Sequence, residues 1–164
     1  MPRIIKILLP HQVFVFGSNS TGFHGSGAAG MAMRGTGDRF WRNDAAFLKA
    51  KISPVGHPNR IGNWAVFGVS RGYQVGRHGR SYAIETIRHP GQIRSTPLSE
   101  IESQFCELFA FAEANSDLEF LMTPVGCGLS GYLPHEIEEV FATASNKSGI
   151  PLNVVVPKGL WRGR

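Results

Sequence analysis

The fold is decided by two stretches: residues 13–30, which read VFVFGSNSTGFHGSGAAG, and residues 120–132, which read FLMTPVGCGLSGY. Each begins with apolar residues, many of them β-branched or aromatic, a pattern typical of a buried strand. Each then changes to glycines and small polar residues before a segment predicted to be helical. A glycine-rich loop between a strand and a helix N-terminus presents backbone N–H groups without internal partners, and such groups bind anions, above all phosphates. Two such loops could form opposite walls of one cleft.

Size and composition are those of a folded protein. The 164 residues are 42% hydrophobic and 18% charged, which favours a single domain over residues 1–164. No apolar stretch approaches the ~20 residues that span a bilayer, and we interpret the basic, apolar start as a strand and not a signal peptide. We therefore expect no membrane partner.

The cysteines indicate a reducing compartment. Cys106 lies on a predicted helix and Cys127 in the second glycine-rich loop, and these are the only two in the chain. A cytoplasmic location is the simpler assumption. We expect no metal, because no Cys or His pair has ligand spacing, and no other cofactor.

The charge predicts an anionic partner. The formal net charge is +5 and the pI is about 9.6, which suits either nucleic acid or a phosphorylated ligand. A basic connection carries Arg71, Arg77, His78 and Arg80. These side chains form either a rim that attracts phosphate or a solvated loop. The oligomeric state is left open.

Strands and helices alternate along the chain. The strands are predicted at residues 4–9, 13–16, 64–69, 82–87 and 152–156 and at the start of the second stretch, with residues 70–80 as a turn between antiparallel partners. Helices are predicted from the end of the first stretch to residue 34, at residues 39–50, after a Thr96 N-cap with Pro97 in the first position, and from Pro134 to Gly149. This order predicts an α/β protein, a three-layer α/β/α domain with a mixed central sheet.

Two common nucleotide-binding motifs do not fit. Gly25, Gly27 and Gly30 are not followed by an acidic residue at a ribose-reading distance, and no Gly-Lys-Ser/Thr occurs. The chain is therefore interpreted as neither a Rossmann reductase nor a P-loop ATPase. The loops suit a diphosphate or a ribose held mainly by backbone groups.

The two loops resemble those of the macro domain superfamily. Asn19 stands where the macro domain asparagine would, residues 24–29 (HGSGAA) look like the glycine-run segment, and residues 125–132 (VGCGLSGY) look like the loop around the diphosphate of ADP-ribose. The chain is most similar to a divergent group of small phage or bacterial macro domain-like proteins. It departs from hydrolytic members in having Ala29 where they often place an aspartate, and it has no lysine in the first loop.

The resemblance implies ADP-ribose or a related nucleotide as ligand. If the chain is an enzyme, the resemblance implies hydrolysis of an ADP-ribose derivative. A non-catalytic binder of a nucleotide signal and a nucleic-acid-binding protein are the alternatives.

Most candidate residues have a structural alternative. Asn19 either orients a ribose or water or stabilises a turn, and His24 either acts as a base or phosphate ligand or is a solvent-exposed loop residue. Glu85 either enters the cleft or points outward. Cys127 is either a nucleophile or a small loop residue, and Tyr132 either stacks on the ligand or packs under the loop.

The candidate sites follow. The candidate catalytic residues are Asn19, His24 and Glu85. The candidate ligand-binding residues are Gly17, Ser18, Asn19, Gly25, Ser26, Gly27, Ala28, Gly126, Cys127, Gly128, Leu129, Ser130, Gly131 and Tyr132.

Overall fold

The architecture below comes from a computed structural model. It describes residues 5, 7–24, 27–35, 62–89, 91–125 and 130–156. The predicted helix at residues 39–50 lies outside the described residues. So do six candidate ligand-binding residues: Gly25, Ser26, Gly126, Cys127, Gly128 and Leu129.

Five strands form one mixed sheet. They are β1 (Gln12–Asn19), β2 (Gly72–Val75), β3 (Arg80–Ile87), β4 (Glu119–Met122) and β5 (Val154–Val155). Their order is β2-β3-β1-β4-β5. The central strand β1 runs parallel to β3 and β4, β4 runs parallel to β5, and the edge strand β2 is antiparallel to β3.

Helices cover both faces of the sheet. They are α1 (Gly27–Arg34), α2 (Leu98–Ala114) and α3 (Pro134–Ser148). Residues of α2 and α3 pack on one face, whereas α1 packs on the other. The predicted three-layer α/β/α arrangement with a mixed sheet is therefore confirmed.

The alternation of side chains along β1 divides the core in two. Val13 and Val15 belong to the cluster with α2 and α3, whereas Phe14 and Phe16 belong to the cluster with α1 and the fully buried Trp64. Successive residues of a strand point to opposite faces, so an entirely apolar run predicts a strand buried on both sides.

Residues 64–69 are not a strand, contrary to the prediction. They belong to an irregular segment, residues 62–70, that we call the strap. Its N–H groups cap the carboxyl end of α1: Asn63 N donates to Met33 O (3.0 Å), and Trp64 N donates to Ala32 O (2.7 Å). The apolar pattern reflects burial of Trp64 and Ala65 against the sheet and not strand pairing. The antiparallel partner of β3 is instead β2, within the segment predicted to be a turn.

Two further predictions, the first strand and the N-cap of α2, are also wrong. Residues 5 and 7–9 are not in a strand, because the chain turns there: Gln12 N donates to Leu9 O, and Leu9 N donates to Gln12 Oε1 (both 3.0 Å). Thr96 does not cap α2, because the N-cap position is Pro97. The Thr96 hydroxyl is buried with no hydrogen-bond partner among the described residues.

The remaining described elements follow the prediction. Strands lie at the start of both glycine-rich stretches and at residues 82–87, α3 runs from Pro134 to its C-cap at Gly149, and the last strand is shorter than expected. In the described part of the chain, no helix combines the length and apolar character needed to cross a membrane.

Candidate functional site

Both glycine-rich loops leave the same edge of the sheet. The first follows β1 and the second follows β4, and these strands are parallel neighbours. Thr123 continues beyond β4 along β1, its N–H and hydroxyl donating to Val15 O at 3.2 and 2.6 Å. The two loops therefore start side by side at the carboxyl ends of their strands, where open α/β sheets bind ligands.

The last residue of β3 contacts the first loop, and the connection between β3 and α2 contacts the second. Ser20 N donates to Ile87 O at 2.9 Å, and Arg94 N donates to Ser130 O at 2.6 Å. Because β3 is also parallel to β1, this connection begins at the same edge of the sheet. Three segments from the carboxyl ends of β1, β3 and β4 thus meet there.

Asn19 organises the first loop. Its Nδ2 donates to Phe23 O (2.9 Å), and its Oδ1 accepts from Thr21 N (3.0 Å) and from the Thr21 hydroxyl (2.5 Å). These contacts are those of a turn-stabilising amide. A role in orienting a ribose or water stays a prediction, since Nδ2 carries a second N–H.

Three contacts attach the first loop to the strap. The Ser18 hydroxyl donates to Ser70 O, Gly68 N donates to Gly22 O (3.0 Å), and His24 Nε2 lies 3.1 Å from Val66 O. Gly22 has φ +67°, and a Cβ there would lie 2.3 Å from the Gly68 carbonyl carbon. Only glycine fits this approach without a backbone shift.

His24 is buried, so the solvent-exposed alternative is wrong. The side chain is 1% exposed, and its ring stands edge-on to Phe16 with 5.1 Å between ring centroids. Burial lowers the pKa of His24 to about 4, so the imidazole is neutral near pH 7. Since Val66 O can only accept, Nε2 carries the proton and Nδ1 is left without a partner among the described residues. Its catalytic role stays a prediction.

Gln104 closes the edge of β3 at Glu85. The pairing of β2 with β3 ends at Gly72 and Ala83. Beyond it, the buried Gln104 amide accepts from Glu85 N (2.6 Å) and donates to Glu85 O (2.9 Å). The Glu85 backbone is therefore satisfied by a side chain of α2 in place of a strand. The Glu85 side chain is half-buried, and its catalytic role also stays a prediction.

The other described candidates of the first loop differ in exposure. Gly17 lies in β1 opposite Ile84, and Ala28 packs towards the cluster around Trp64. Gly27 is exposed with φ +60°, and a Cβ there would meet none of the described residues within 4 Å. Gly27 therefore leaves open space at the start of α1.

The described end of the second loop is Ser130, Gly131 and Tyr132. Tyr132 is buried, and its hydroxyl donates to Thr96 O, which supports packing under the loop over ligand stacking. Gly131 has φ +85°, and a Cβ there would lie 2.7 Å from Cβ of Ile93. The β3–α2 connection thus packs directly against this loop.

An ion pair joins that connection to α3. Arg94 Nη1 and Nη2 donate to the two Glu136 carboxylate oxygens at 2.8 and 2.5 Å. Glu136 Oε2 also accepts from Leu133 N (2.8 Å), capping the first turn of α3. The Arg94 guanidinium lies 4.7 Å from the centroid of the Tyr132 ring. The hydrogen bonds from Arg94 lower the pKa of Glu136 to about 2.

The basic turn lies at the opposite end of the strands from the two glycine-rich loops. Arg77 and His78 lie between β2 and β3, at the amino end of β3, and Arg80 begins that strand. Arg80 donates to Pro10 O (3.0 Å), and Arg71 pairs with Glu107 of α2 (3.0 Å). Arg77, His78 and Arg80 therefore do not form a rim around the glycine-rich loops. Arg71 precedes β2, which is antiparallel to β3, so it lies at the same end of the sheet as the loops, and its role in attracting phosphate stays a prediction. In the described part of the chain, no group of three or more His, Cys, Asp or Glu side chains could hold a metal ion.

Solved structures share this architecture. The macrodomain of DarG from Mycobacterium tuberculosis superposes with a TM-score of 0.50 and 17% identity, over 89% of this chain and 87% of that one. The fold is macro domain-like. A protein of unknown function from Bacteroides thetaiotaomicron (TM-score 0.48, 14% identity, 90% and 88% coverage) and a macrodomain protein from Streptomyces coelicolor (TM-score 0.43, 15% identity, 94% and 90% coverage) are also similar. No protein-family model and no curated protein matches the sequence.

Sequence reasoning missed the residues that hold the loops. Arg94 and Glu136 are 42 positions apart, and Gln104 acts on a strand 19 positions away. Gly68 had a local signal, a glycine within an apolar run, which marks a close backbone approach.

Proposed function

We propose that this macro domain-like protein binds ADP-ribose or a related nucleotide diphosphate at the carboxyl edge of its sheet. One observation carries the proposal: two glycine-rich loops leave adjacent parallel strands side by side, one contacting the end of β3 and the other the β3–α2 connection that follows it. Backbone N–H groups of such loops would hold the diphosphate. The N–H of Leu133 at the start of α3 already donates to Glu136, so the second loop's own amides would supply the donors there.

The first loop would hold the ribose. The exposed Gly27 leaves room for close approach of a ligand, and Asn19 retains one amide N–H for a ribose hydroxyl. Hydrolysis of an ADP-ribose derivative is the enzymatic extension of this proposal. Asn19 would orient the attacking water with help from Glu85 or His24, and loop amides would stabilise the developing charge.

Nucleic acid is the second candidate because of the net charge of +5. Four described basic side chains each pair with a carboxylate: Arg71, Arg88, Arg94 and Lys147. These charges are thus partly neutralised within the protein.

Calorimetry with ADP-ribose at low and high salt tests the proposal. We expect binding that changes little with salt, whereas an oligonucleotide bound through phosphates would show a steep salt dependence. No heat with ADP-ribose together with salt-sensitive oligonucleotide binding would overturn the proposal.

A matched pair of glycine variants locates the site. Gly27→Val should weaken ADP-ribose binding at least about tenfold, or about 1.4 kcal/mol, because the side chain fills the open approach. Gly149→Val is the control, because Gly149 also has positive φ and open space but ends α3. Gly128→Val, which adds a bulky side chain to the second loop, should abolish ADP-ribose binding. Equal affinity of the Gly27 and Gly149 variants would place the ligand elsewhere. Hydrolysis would be shown if the wild type releases ADP-ribose from a modified substrate and the Asn19→Ala variant does not.

A further inference from the structure

We propose that Arg94 is a positioning residue that fixes the described end of the second glycine-rich loop, Ser130–Tyr132, for the diphosphate. This inference rests on the proposed function, but part of its test needs no ligand. Arg94 belongs to the β3–α2 connection and not to either glycine-rich stretch, and no sequence pattern singled it out.

Arg94 makes two contacts with the loop and one with the helix that follows it. Its backbone N–H donates to Ser130 O (2.6 Å), its guanidinium lies over the Tyr132 ring, and its two terminal nitrogens bind Glu136. Glu136 in turn accepts from Leu133 N, the residue that follows Tyr132. The backbone and side chain of one residue therefore link the loop, its aromatic anchor and the helix after it. A bidentate Arg–carboxylate pair fixes both distance and orientation.

The backbone of Arg94 supports the same assignment. Its φ is +55°, in the left-handed region that residues other than glycine rarely adopt. Such strain persists where the surrounding contacts determine the conformation, and it clusters at functional sites. In this conformation the N–H reaches Ser130 O while the side chain reaches Glu136.

Three variants at this position separate the contributions. Arg94→Ala removes the guanidinium and keeps the strain, whereas Arg94→Gly removes both. Arg94→Lys keeps the charge without the bidentate fork. Lys147→Ala is the matched control, because it breaks an exposed ion pair with Glu102 (2.7 Å) at the other end of α3.

Titration with ADP-ribose is the first measurement. We expect Arg94→Ala and Arg94→Gly to bind roughly tenfold more weakly than the wild type, Arg94→Lys to be intermediate and Lys147→Ala to be unchanged. Wild-type affinity in Arg94→Gly would show that only the backbone matters and would overturn the assignment. An Arg94→Lys variant that binds ADP-ribose no better than Arg94→Ala would also overturn the assignment, because the charge that lysine keeps should restore part of the affinity.

Hydrogen exchange without ligand is the second measurement. Amides in a peptide containing residues 130–133 should exchange faster in Arg94→Ala and Arg94→Gly than in the wild type and Lys147→Ala. If the wild type fails to bind ADP-ribose but this difference appears, the proposed function fails and the positioning role stands. Unchanged exchange in both variants overturns the positioning role.

Discussion

The first glycine-rich loop is held by backbone groups and buried side chains, whereas the described end of the second loop is also supported by an ion pair open to solvent. Gly22, Ser18 and His24 attach the first loop to the strap. The Arg94 N–H binds Ser130 O of the second loop, and the Arg94–Glu136 ion pair joins the β3–α2 connection to α3. Buried neutral contacts are hardly screened by salt, but exposed ion pairs are weak and salt-dependent. The two glycine-rich loops, which leave the same end of the sheet, should therefore respond differently to mutation, pH and salt.

The largest effect should come from Gly22→Ala. A Cβ would lie 2.3 Å from the Gly68 backbone at φ +67°, so overpacking and backbone strain should together lower the free energy of unfolding by about 3 to 4 kcal/mol. Urea denaturation measures this. Gly68→Ala is the control: its φ is +88°, but its Cβ would meet no atom of the described part of the chain within 4 Å, so strain alone should cost about 1 kcal/mol. Equal losses would show that the strap does not constrain the loop.

The next effect is on the pH dependence of stability. Because the pKa of His24 falls from 6.5 to about 4 on folding, the unfolded chain binds more protons between these values. Stability should therefore be complete above pH 6.5 and fall by about 3 kcal/mol as the pH falls to about 4. His24→Gln keeps a donor for Val66 O but does not titrate. Denaturation at a series of pH values should show a flatter curve for this variant, and superimposable curves would contradict the assignment.

Ser18→Ala should have a moderate effect. It leaves Ser70 O without the hydroxyl donor, which should cost about 1 kcal/mol of unfolding free energy. Ser103→Ala is the control, because the Ser103 hydroxyl donates to Ser99 O (3.1 Å) on the exposed surface of α2. The loss in Ser18→Ala should persist at high salt, and a loss that disappeared there would not fit a buried neutral contact.

The smallest effect on stability should come from Glu136→Gln. This change removes the ionic part of the pairing with Arg94, so the melting temperature should fall slightly at low salt and match the wild type in 1 M NaCl, where the Debye length is about 3 Å. Because Arg94 lowers the pKa of Glu136 from 4.5 to about 2, the contribution of this pair is present above pH 4.5 and lost as the pH falls towards 2. If the melting temperature of Glu136→Gln stayed below that of the wild type at every salt concentration, this pair would behave like the neutral contacts of the first loop.

Local signals made most described elements predictable. The apolar runs of β1 and β4 and the three- and four-residue spacing in α2 and α3 each lie within a short window. The strap was mistaken for a strand because it contains the same kind of apolar run, Trp64-Ala-Val-Phe. What distinguishes it is the destination of its N–H groups, the carbonyls of Met33 and Ala32, and a local pattern does not specify this tertiary choice.

The candidate site was predictable in its loops but not in their supports. Glycine and small polar residues after a strand indicate a loop that binds anions. The pairing of Arg94 with Glu136 depends instead on how α3 docks beside the β3–α2 connection. Thr96 shows the same limit, because its sequence position suited an N-cap although the cap is Pro97.

Gln104 has a consequence for self-association. The unpaired end of an edge strand is a template on which another molecule can add a strand. Just beyond β2, that template would be the Glu85 N–H and carbonyl, and the Gln104 amide occupies both. One glutamine from the covering helix thereby closes this part of the β3 edge to intermolecular pairing, while the strand still leads into the connection that contacts the second loop.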